Sequence, residues 1–128
     1  MRILLDTHTF LWWITDDQRL SSHSVELISD GNNELLSVLQ VDGRSPSRQD
    51  FGRLDIPEPL DRFVSEQLSR NHIGVLPVQL SHALHVFTLP QAHRDPFARL
   101  LVAQAQIEEL SLLSSNKKLS DYDIDVLW

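Results

Sequence analysis

The sequence predicts a single α/β domain with a mostly parallel central sheet of about four or five strands and helices on both faces. Two observations lead to this fold class. Short apolar runs recur along the chain, and stretches with helical periodicity separate them. A chain of 128 residues is also an ordinary size for one domain. Strands that alternate with helices pair in parallel, because each helix carries the chain back across the sheet.

The first predicted strand is the apolar run Ile3-Leu4-Leu5, which breaks on Asp6-Thr7. A buried strand that ends on an acid places that acid where open α/β sheets bind ligands. Asp6 or Thr7 can also cap the following helix, whose apolar residues are Phe10, Leu11, Trp12 and Ile14. Two roles are therefore open for Asp6, a functional acid and a helix cap.

The next elements follow from the same patterns. A helix is predicted to open at 20–22 and to end at 30–33, where Gly or Asn favours a left-handed cap. A strand over 34–38 follows, then a helix that closes at 71–72, and then a strand over 73–78. The apolar positions expected to face inward in the two helices are Val25, Leu27, Ile28, Leu60, Phe63, Val64 and Leu68.

The last third of the chain is patterned as regularly. Ser81 is expected to cap a helix whose inward residues are Ala83, Leu84, Val86 and Phe87. Asp95 precedes Pro96 and is a good N-cap for the most regular helix, 99–109. A fourth strand is predicted over 110–114, and 124–127 is predicted to add an edge strand.

The stretch from residue 39 to 50 follows neither a helical nor a strand period, and Gly43 and Pro46 interrupt it. Its charges cannot form an amphipathic face that would cover the sheet. We expect an irregular segment at about 37–51, mobile from Gln40 to Gln49, with lowered stability and tryptic cleavage near Arg44 or Arg48.

Composition limits the function. The hydrophobic content of 41% and the charged content of 23% are typical of a globular protein. There is no cysteine, which excludes disulfides and thiolate chemistry. No signal peptide or membrane span is visible, so we expect a cytoplasmic protein without membrane contact. The net charge of −7 argues against non-specific binding to nucleic acid, although a metal-dependent nuclease concentrates carboxylates at its site.

Asp6 and Asp95 provide the candidate chemistry. One ends a strand and the other starts a helix, which directs both toward the same end of the sheet. Two carboxylates there could hold Mg²⁺ or Mn²⁺, and metal-held water could attack a phosphodiester. A haloacid-dehalogenase-like phosphatase would need an Asp where His8 stands, and a response-regulator receiver fits less well. The histidines show no metal-ligand spacing, and Trp12, Trp13 and Trp128 indicate core and rim.

The chain resembles the PIN-domain ribonucleases, specifically VapC-like toxins of bacterial toxin–antitoxin pairs. The matching stretches are Leu4-Leu5-Asp6-Thr7-His8 with Leu11-Trp12-Trp13, Gly52-Arg53-Leu54-Asp55-Ile56-Pro57, His93-Arg94-Asp95-Pro96-Phe97 with Leu100 to Ala105, and the tail through Tyr122. The resemblance implies an acidic pocket that binds Mg²⁺ or Mn²⁺ and cuts RNA, in a homodimer neutralised by a small antitoxin-like protein. It makes Asp6 and Asp95 catalytic metal ligands, with Thr7 and Arg94 as binding residues beside them.

The chain departs from this family at three places. The next Asp of the helix-start motif is Ala98 here, and the Asp expected after the fourth strand is Asn116, which can bind a metal only through water. The helix carrying Trp-Glu, expected after Val38, is absent. We therefore expect a degenerate site with weak or lost activity. The alternative is a non-catalytic protein that binds an antitoxin-like partner or its own dimer mate. The apolar residues from Phe10 to Trp13 lie on more than one side of a predicted helix, so some can pack in the core while others contact the partner.

A frameshift is our hypothesis for the missing helix. Permitted codons for residues 37–50, read with one preceding C in a shifted frame, encode Leu-Ser-Val-Ala-Ser-Gly-Trp-Glu-Ile-Ala-Ile-Lys-Thr-Gly, a family-like strand end and helix. A base lost before Ser37 and a base gained near Phe51 would produce the present segment. The encoding DNA tests this, because the hypothesis requires that its bases yield the Trp-Glu frame.

Overall fold

The computed structural model describes residues 1–38, 60–92 and 94–128. The expectations for mobility, trypsin cleavage and frameshift concern residues outside this described part, apart from Ser37 and Val38. The match from Gly52 to Pro57 and His93 of the second motif also lie outside it. Ser37 ends a strand, and Val38 is buried in the core.

Five parallel strands form the sheet in the described residues. They are β1 (Arg2–Leu5), β2 (Glu34–Ser37), β3 (Ile73–Val75), β4 (Ser111–Leu113) and β5 (Val126–Leu127). Their order is β3-β2-β1-β4-β5, with β1 at the centre. The predicted parallel sheet is confirmed, including its edge strand.

Helices connect the strands. They are α1 (Thr7–Ile14), α2 (Ser22–Ser29), α3 (Leu60–Arg70), α4 (Leu80–Val86), α5 (Pro96–Ile107) and a 3₁₀ helix (Lys117–Asp121). Local capping explains three of their starts. Asp6, Ser21 and Asp95 each accept a hydrogen bond from a backbone N–H of the first turn. Pro96 adds to this in α5, since its missing N–H would have had no partner in the helix.

The core lies on both faces of the sheet, because residues of β1 alternate between them. Ile3 and Leu5 pack with Phe10 of α1 on one face, and Leu4 packs with Val102 of α5 on the other. All five side chains are inaccessible to solvent. Helices therefore cover both faces, as the sequence predicts.

Several local predictions are wrong. Strand β3 ends at Val75 rather than at residue 78, and Pro77 has no N–H with which to continue a ladder. Helix α4 has Gln79 rather than Ser81 at its N-cap. Helix α2 ends at an extended Asp30, not at a left-handed Gly or Asn. Val25 is exposed, and Ser24 faces the core in its place.

The inward face of α4 is also predicted wrongly. Ala83, Leu84 and Phe87 are exposed, whereas His82 is completely buried. The reason is that α4 packs on α5 through polar pairs. His82 Nε2 lies 2.9 Å from Glu108 Oε1, and His85 Nε2 lies 2.6 Å from Gln106 Oε1. Leu84 and Phe87 are thereby turned outward, whereas Val86 packs against the core as predicted.

Candidate functional site

The strand order defines one topological switch point in this sheet. From β1 the chain builds outward to β2 and β3, and it then returns to place β4 and β5 on the other side of β1. In open α/β sheets the loops on either side of such a point diverge beyond the carboxyl ends of the strands, and ligands bind in the crevice between them. Asp6 follows β1 directly, and Asn116 follows β4 after two serines.

Hydrogen bonds to Thr9 and to Leu113 fix the position of Asp6 at the end of β1. Its Oδ1 accepts from the Thr9 N–H at 2.8 Å, and its own N–H donates to the Leu113 carbonyl at 3.3 Å. The Thr9 hydroxyl donates to the same carbonyl at 3.1 Å. Thr7 is half-buried, and its hydroxyl donates to the Val38 carbonyl at 3.3 Å. Asp6 is therefore a helix cap that also lies at the carboxyl edge of the sheet.

Asp95 reaches the same edge from α5. Helix α5 leads into β4, which is parallel to β1, so its N-terminus lies on the carboxyl side of the sheet. Asp95 is exposed and its Oδ1 accepts from the Phe97 N–H at 3.0 Å, which confirms the predicted cap. Arg94 beside it is exposed as well. One carboxylate oxygen of each acid is thus hydrogen-bonded to a backbone N–H at the start of a helix.

Two of the three departures from the resemblance lie in the described residues, and each has a clear structural role. Asn116 is exposed, and its Oδ1 accepts from the Lys118 N–H at 3.3 Å, which caps the 3₁₀ helix. Its own N–H donates to Ser114 Oγ at 3.1 Å. Ala98 is half-buried and packs against the core cluster that contains Leu4. Neither side chain brings negative charge to the crevice.

The carboxylates of Asp6 and Asp95 are of the chemical type that binds a divalent cation, but they are fewer than such a site usually has. Carboxylate oxygens are the ligands that Mg²⁺ and Mn²⁺ prefer. Across residues 1–38, 60–92 and 94–128, however, no group of three or more His, Asp or Glu side chains is arranged to hold a metal ion.

Arg99 is a buried residue that the sequence reasoning missed. Its side chain is only 7% exposed, and its guanidinium donates to the carbonyls of Pro90, Val86 and Leu89 at 2.7, 3.0 and 3.3 Å. It also reaches the Tyr122 hydroxyl at 3.4 Å. The sequence held a signal for this burial, because Arg99 lies on the same helix face as Val102 and Ala103, which are both in the core. This cation fastens the segment before Asp95 to α5.

The tryptophans lie at the rim of the core. Trp12 and Trp128 are half-buried and meet edge to face, with their ring centroids 5.8 Å apart. The guanidinium of Arg19 lies 5.1 Å from the centroid of the Trp12 ring. Arg19 also bonds to Asp17 at 2.7 Å, and its side-chain hydrogen bond lowers the Asp17 pKa to about 2.

Fold and site together define a doubly wound α/β protein with an acid at its switch point. Residues 3–125 match the model of the PIN domain family. Because this match spans nearly the whole chain, the chain belongs to the PIN domain family.

Solved structures agree with this assignment at the level of the fold. A chain in the crystal structure of VapBC2 from Rickettsia felis, bound to a DNA fragment from their promoter, is similar with a TM-score of 0.67 and 13% sequence identity. The likeness covers 99% of this chain and 98% of that one. None of the curated proteins matches the chain. Within the described part of the chain, no helix is both long and apolar enough to cross a membrane.

Proposed function

We propose that this chain is a VapC-like PIN protein of a toxin–antitoxin pair whose cleavage of RNA is weak or lost. The observation that carries the proposal is the contrast at the crevice. Asp6 and Asp95 stand at its edge as acids, whereas Asn116 is neutral and Ala98 is apolar. The protein would descend from an endoribonuclease that hydrolyses phosphodiester bonds with Mg²⁺ or Mn²⁺.

The chemistry of the donors supports the weakened activity. Asp6 and Asp95 would be the metal ligands, and Asn116 would contribute only through a metal-held water. When bound, the ion supplies an activated water and charge for the phosphate. Affinity for such an ion rises with the number of charged ligands. With one oxygen of each acid already bonded to a backbone N–H, few charged donors remain, so weak binding is expected.

The substrate and partner extend the proposal. RNA would enter beside Thr7 and the exposed Arg94, which flank the two acids. A cation at that position can contact a phosphate without any strongly basic surface elsewhere. The structure named VapBC2 lends support for a small antitoxin-like protein as the natural partner.

A nuclease assay with Mn²⁺ tests the catalytic part. The informative variant is Asp6→Asn, because asparagine can still accept from the Thr9 N–H and keep α1 capped while the charge is removed. Asp30→Asn is the matched control, since Asp30 is an exposed acid at the end of α2. We expect slow cleavage by the unmodified protein, unchanged in Asp30→Asn and abolished in Asp6→Asn. Cleavage equal in both variants would show that the activity comes from elsewhere.

A non-catalytic role is the second candidate, and the rim tryptophans favour it. Trp12 and Trp13 lie side by side on α1 and remain half-buried rather than buried. Aromatic side chains that keep accessible surface are frequent anchors for a partner protein. Co-purification of a small protein without any RNA cleavage would support this role. In that case Trp13→Ala should release the partner, whereas Ile107→Ala, at another accessible apolar position, should not.

A further inference from the structure

The lysines of this chain lie together at one edge of the sheet. Lys117 and Lys118 are the only lysines in the sequence, and they begin the 3₁₀ helix that follows β4. Both residues are exposed. Because they follow the carboxyl end of a parallel strand, they lie on the same side of the sheet as Asp6 and Asp95. A protein with a net charge of −7 therefore places its lysines at the edge that carries its candidate acids.

Hydrogen bonds limit the distance between Lys117 and Asp6. The Asp6 N–H donates to the Leu113 carbonyl at 3.3 Å, and Lys117 is four residues after Leu113. With about 3.8 Å between consecutive Cα atoms, the Lys117 Cα lies within about 15 Å of the Leu113 Cα. Asn116 fixes the route between them, because its side chain caps the 3₁₀ helix and its N–H donates to Ser114 Oγ at 3.1 Å. Lys117 is therefore held at the carboxyl edge by a capped turn.

The Lys117 ammonium group is available to bind an anion. Among residues 1–38, 60–92 and 94–128, none of the ion pairs includes Lys117. The acid of its own 3₁₀ helix is Asp121, about 8 Å further along at 2 Å per residue. A second exposed cation, Arg94, directly precedes Asp95. Each candidate acid thus has a cation nearby, since Arg94 is next to Asp95 and Lys117 follows the strand that pairs with β1.

We propose that Lys117, together with Arg94, binds the RNA phosphates that flank the site of cleavage. This inference rests on the proposed function and adds a residue that positions its substrate. Lys and Arg side chains contact phosphate oxygens and fix the register of a nucleic acid without reading its bases. Contacts to the neighbouring phosphates bring the one between them to Asp6 and Asp95, which repel it on their own. Local cations thus allow an acidic chain to bind RNA at this edge.

Equilibrium binding of RNA in EDTA measures this contribution without cleavage. A fluorescein-labelled single-stranded RNA is titrated with the full chain at several KCl concentrations, and its anisotropy gives the affinity. The informative variant is Lys117→Gln, which removes one charge at an exposed position. Arg70→Gln is the matched control, because Arg70 is an exposed cation at the end of α3, which leads into the amino end of β3. Both variants should keep the circular dichroism spectrum and the unfolding midpoint of the unmodified protein.

We expect Lys117→Gln to reduce the slope of log affinity against log salt by about 0.7, the value for one phosphate contact of a single strand, and to weaken binding roughly fivefold at about 0.1 M KCl. Arg70→Gln should change neither quantity. The role of Lys117 is overturned if both variants bind RNA alike, or if Lys117→Gln keeps its RNA affinity and instead releases a co-purifying small protein. A complete lack of RNA binding by the unmodified protein would refute the proposed RNA substrate as well, which separates the two failures.

Discussion

The hydroxyl of Thr9 donates a 3.1 Å hydrogen bond to the carbonyl of Leu113 and so joins the first turn of α1 to the end of β4. Thr9 is fully buried, and the same carbonyl also accepts from the Asp6 N–H. This shared acceptor fixes the acid of the crevice relative to both strands of the switch point. The position of Asp6 is therefore set by a residue three places along the chain and by a strand far from it in sequence.

Replacing Thr9 by valine tests this bond, because valine keeps the shape and removes the hydroxyl. We expect the free energy of unfolding to fall by about 1 kcal/mol, the usual net value of one hydrogen bond. Urea denaturation measures it. Thr15→Val is the control, since the Thr15 hydroxyl bonds within α1 to Leu11 and is only part-buried. An equal loss in both variants would contradict the special role of Thr9.

Asn116→Asp should strengthen divalent-ion binding. Asp also caps helices well, so the 3₁₀ helix that begins at Lys117 should persist. A carboxylate after β4 would add negative charge to the edge that carries Asp6, and we expect Mn²⁺ to bind roughly tenfold more tightly. Calorimetric titration with Mn²⁺ gives the affinity. Asn32→Asp, in the exposed turn after α2, should leave it unchanged, and equal gains in both would rule out a local effect.

Arg99→Met should destabilise the protein strongly. Methionine fills a similar apolar space, but it leaves the carbonyls of Val86, Leu89 and Pro90 without this donor. We expect a loss on the order of 3 kcal/mol, since bonds from a charged group contribute more than neutral ones. Thermal and urea unfolding measure the change. Arg62→Met, at an exposed position of α3, should change stability little, and a similar loss there would remove the basis for this prediction.

Arg19→Gln should raise the pKa of Asp17. The side-chain hydrogen bond from Arg19 is the main reason that this pKa lies near 2 rather than at 3.8. The backbone hydrogen bond from position 19 would remain, so the pKa should rise only part of the way. A carbon-detected NMR titration of the carboxyl group measures it. Arg2→Gln, whose partner is Glu34, should leave Asp17 unaffected.

The lowered pKa of Asp17 makes the stability of the fold depend on pH. Asp17 releases its proton more readily in the folded protein, so its stabilising contribution is present above 3.8 and is lost as the pH falls through about 2. In Arg19→Gln, less stability should be lost as the pH is lowered. The effect is small because Arg19 is largely exposed and water screens the pair.

Sequence reasoning located the acids because their signals are local. Asp6 follows an apolar run, and Asp95 precedes a proline, so a strand end and a helix start can each be inferred from a few neighbouring residues. The parallel sheet follows from the alternation of strands and helices. Whether the two carboxylates act on a metal stays a prediction, because that depends on oxygens brought together from separate elements.

The sequence by itself therefore determined the α/β class, the first strand and the two capped helix starts, whereas the central place of that strand in the sheet is a finding of the structure. Only the tertiary structure decided which face of α4 turns inward. Its apolar residues predicted burial, yet His82 is buried and Phe87 is exposed, because Glu108 and Gln106 of α5 offer hydrogen-bond partners to the histidines. Arg99 is a similar case, since three backbone carbonyls converge on it from a segment ahead of α5. A periodicity reports which residues share a helix face, but the neighbouring element determines which face it covers.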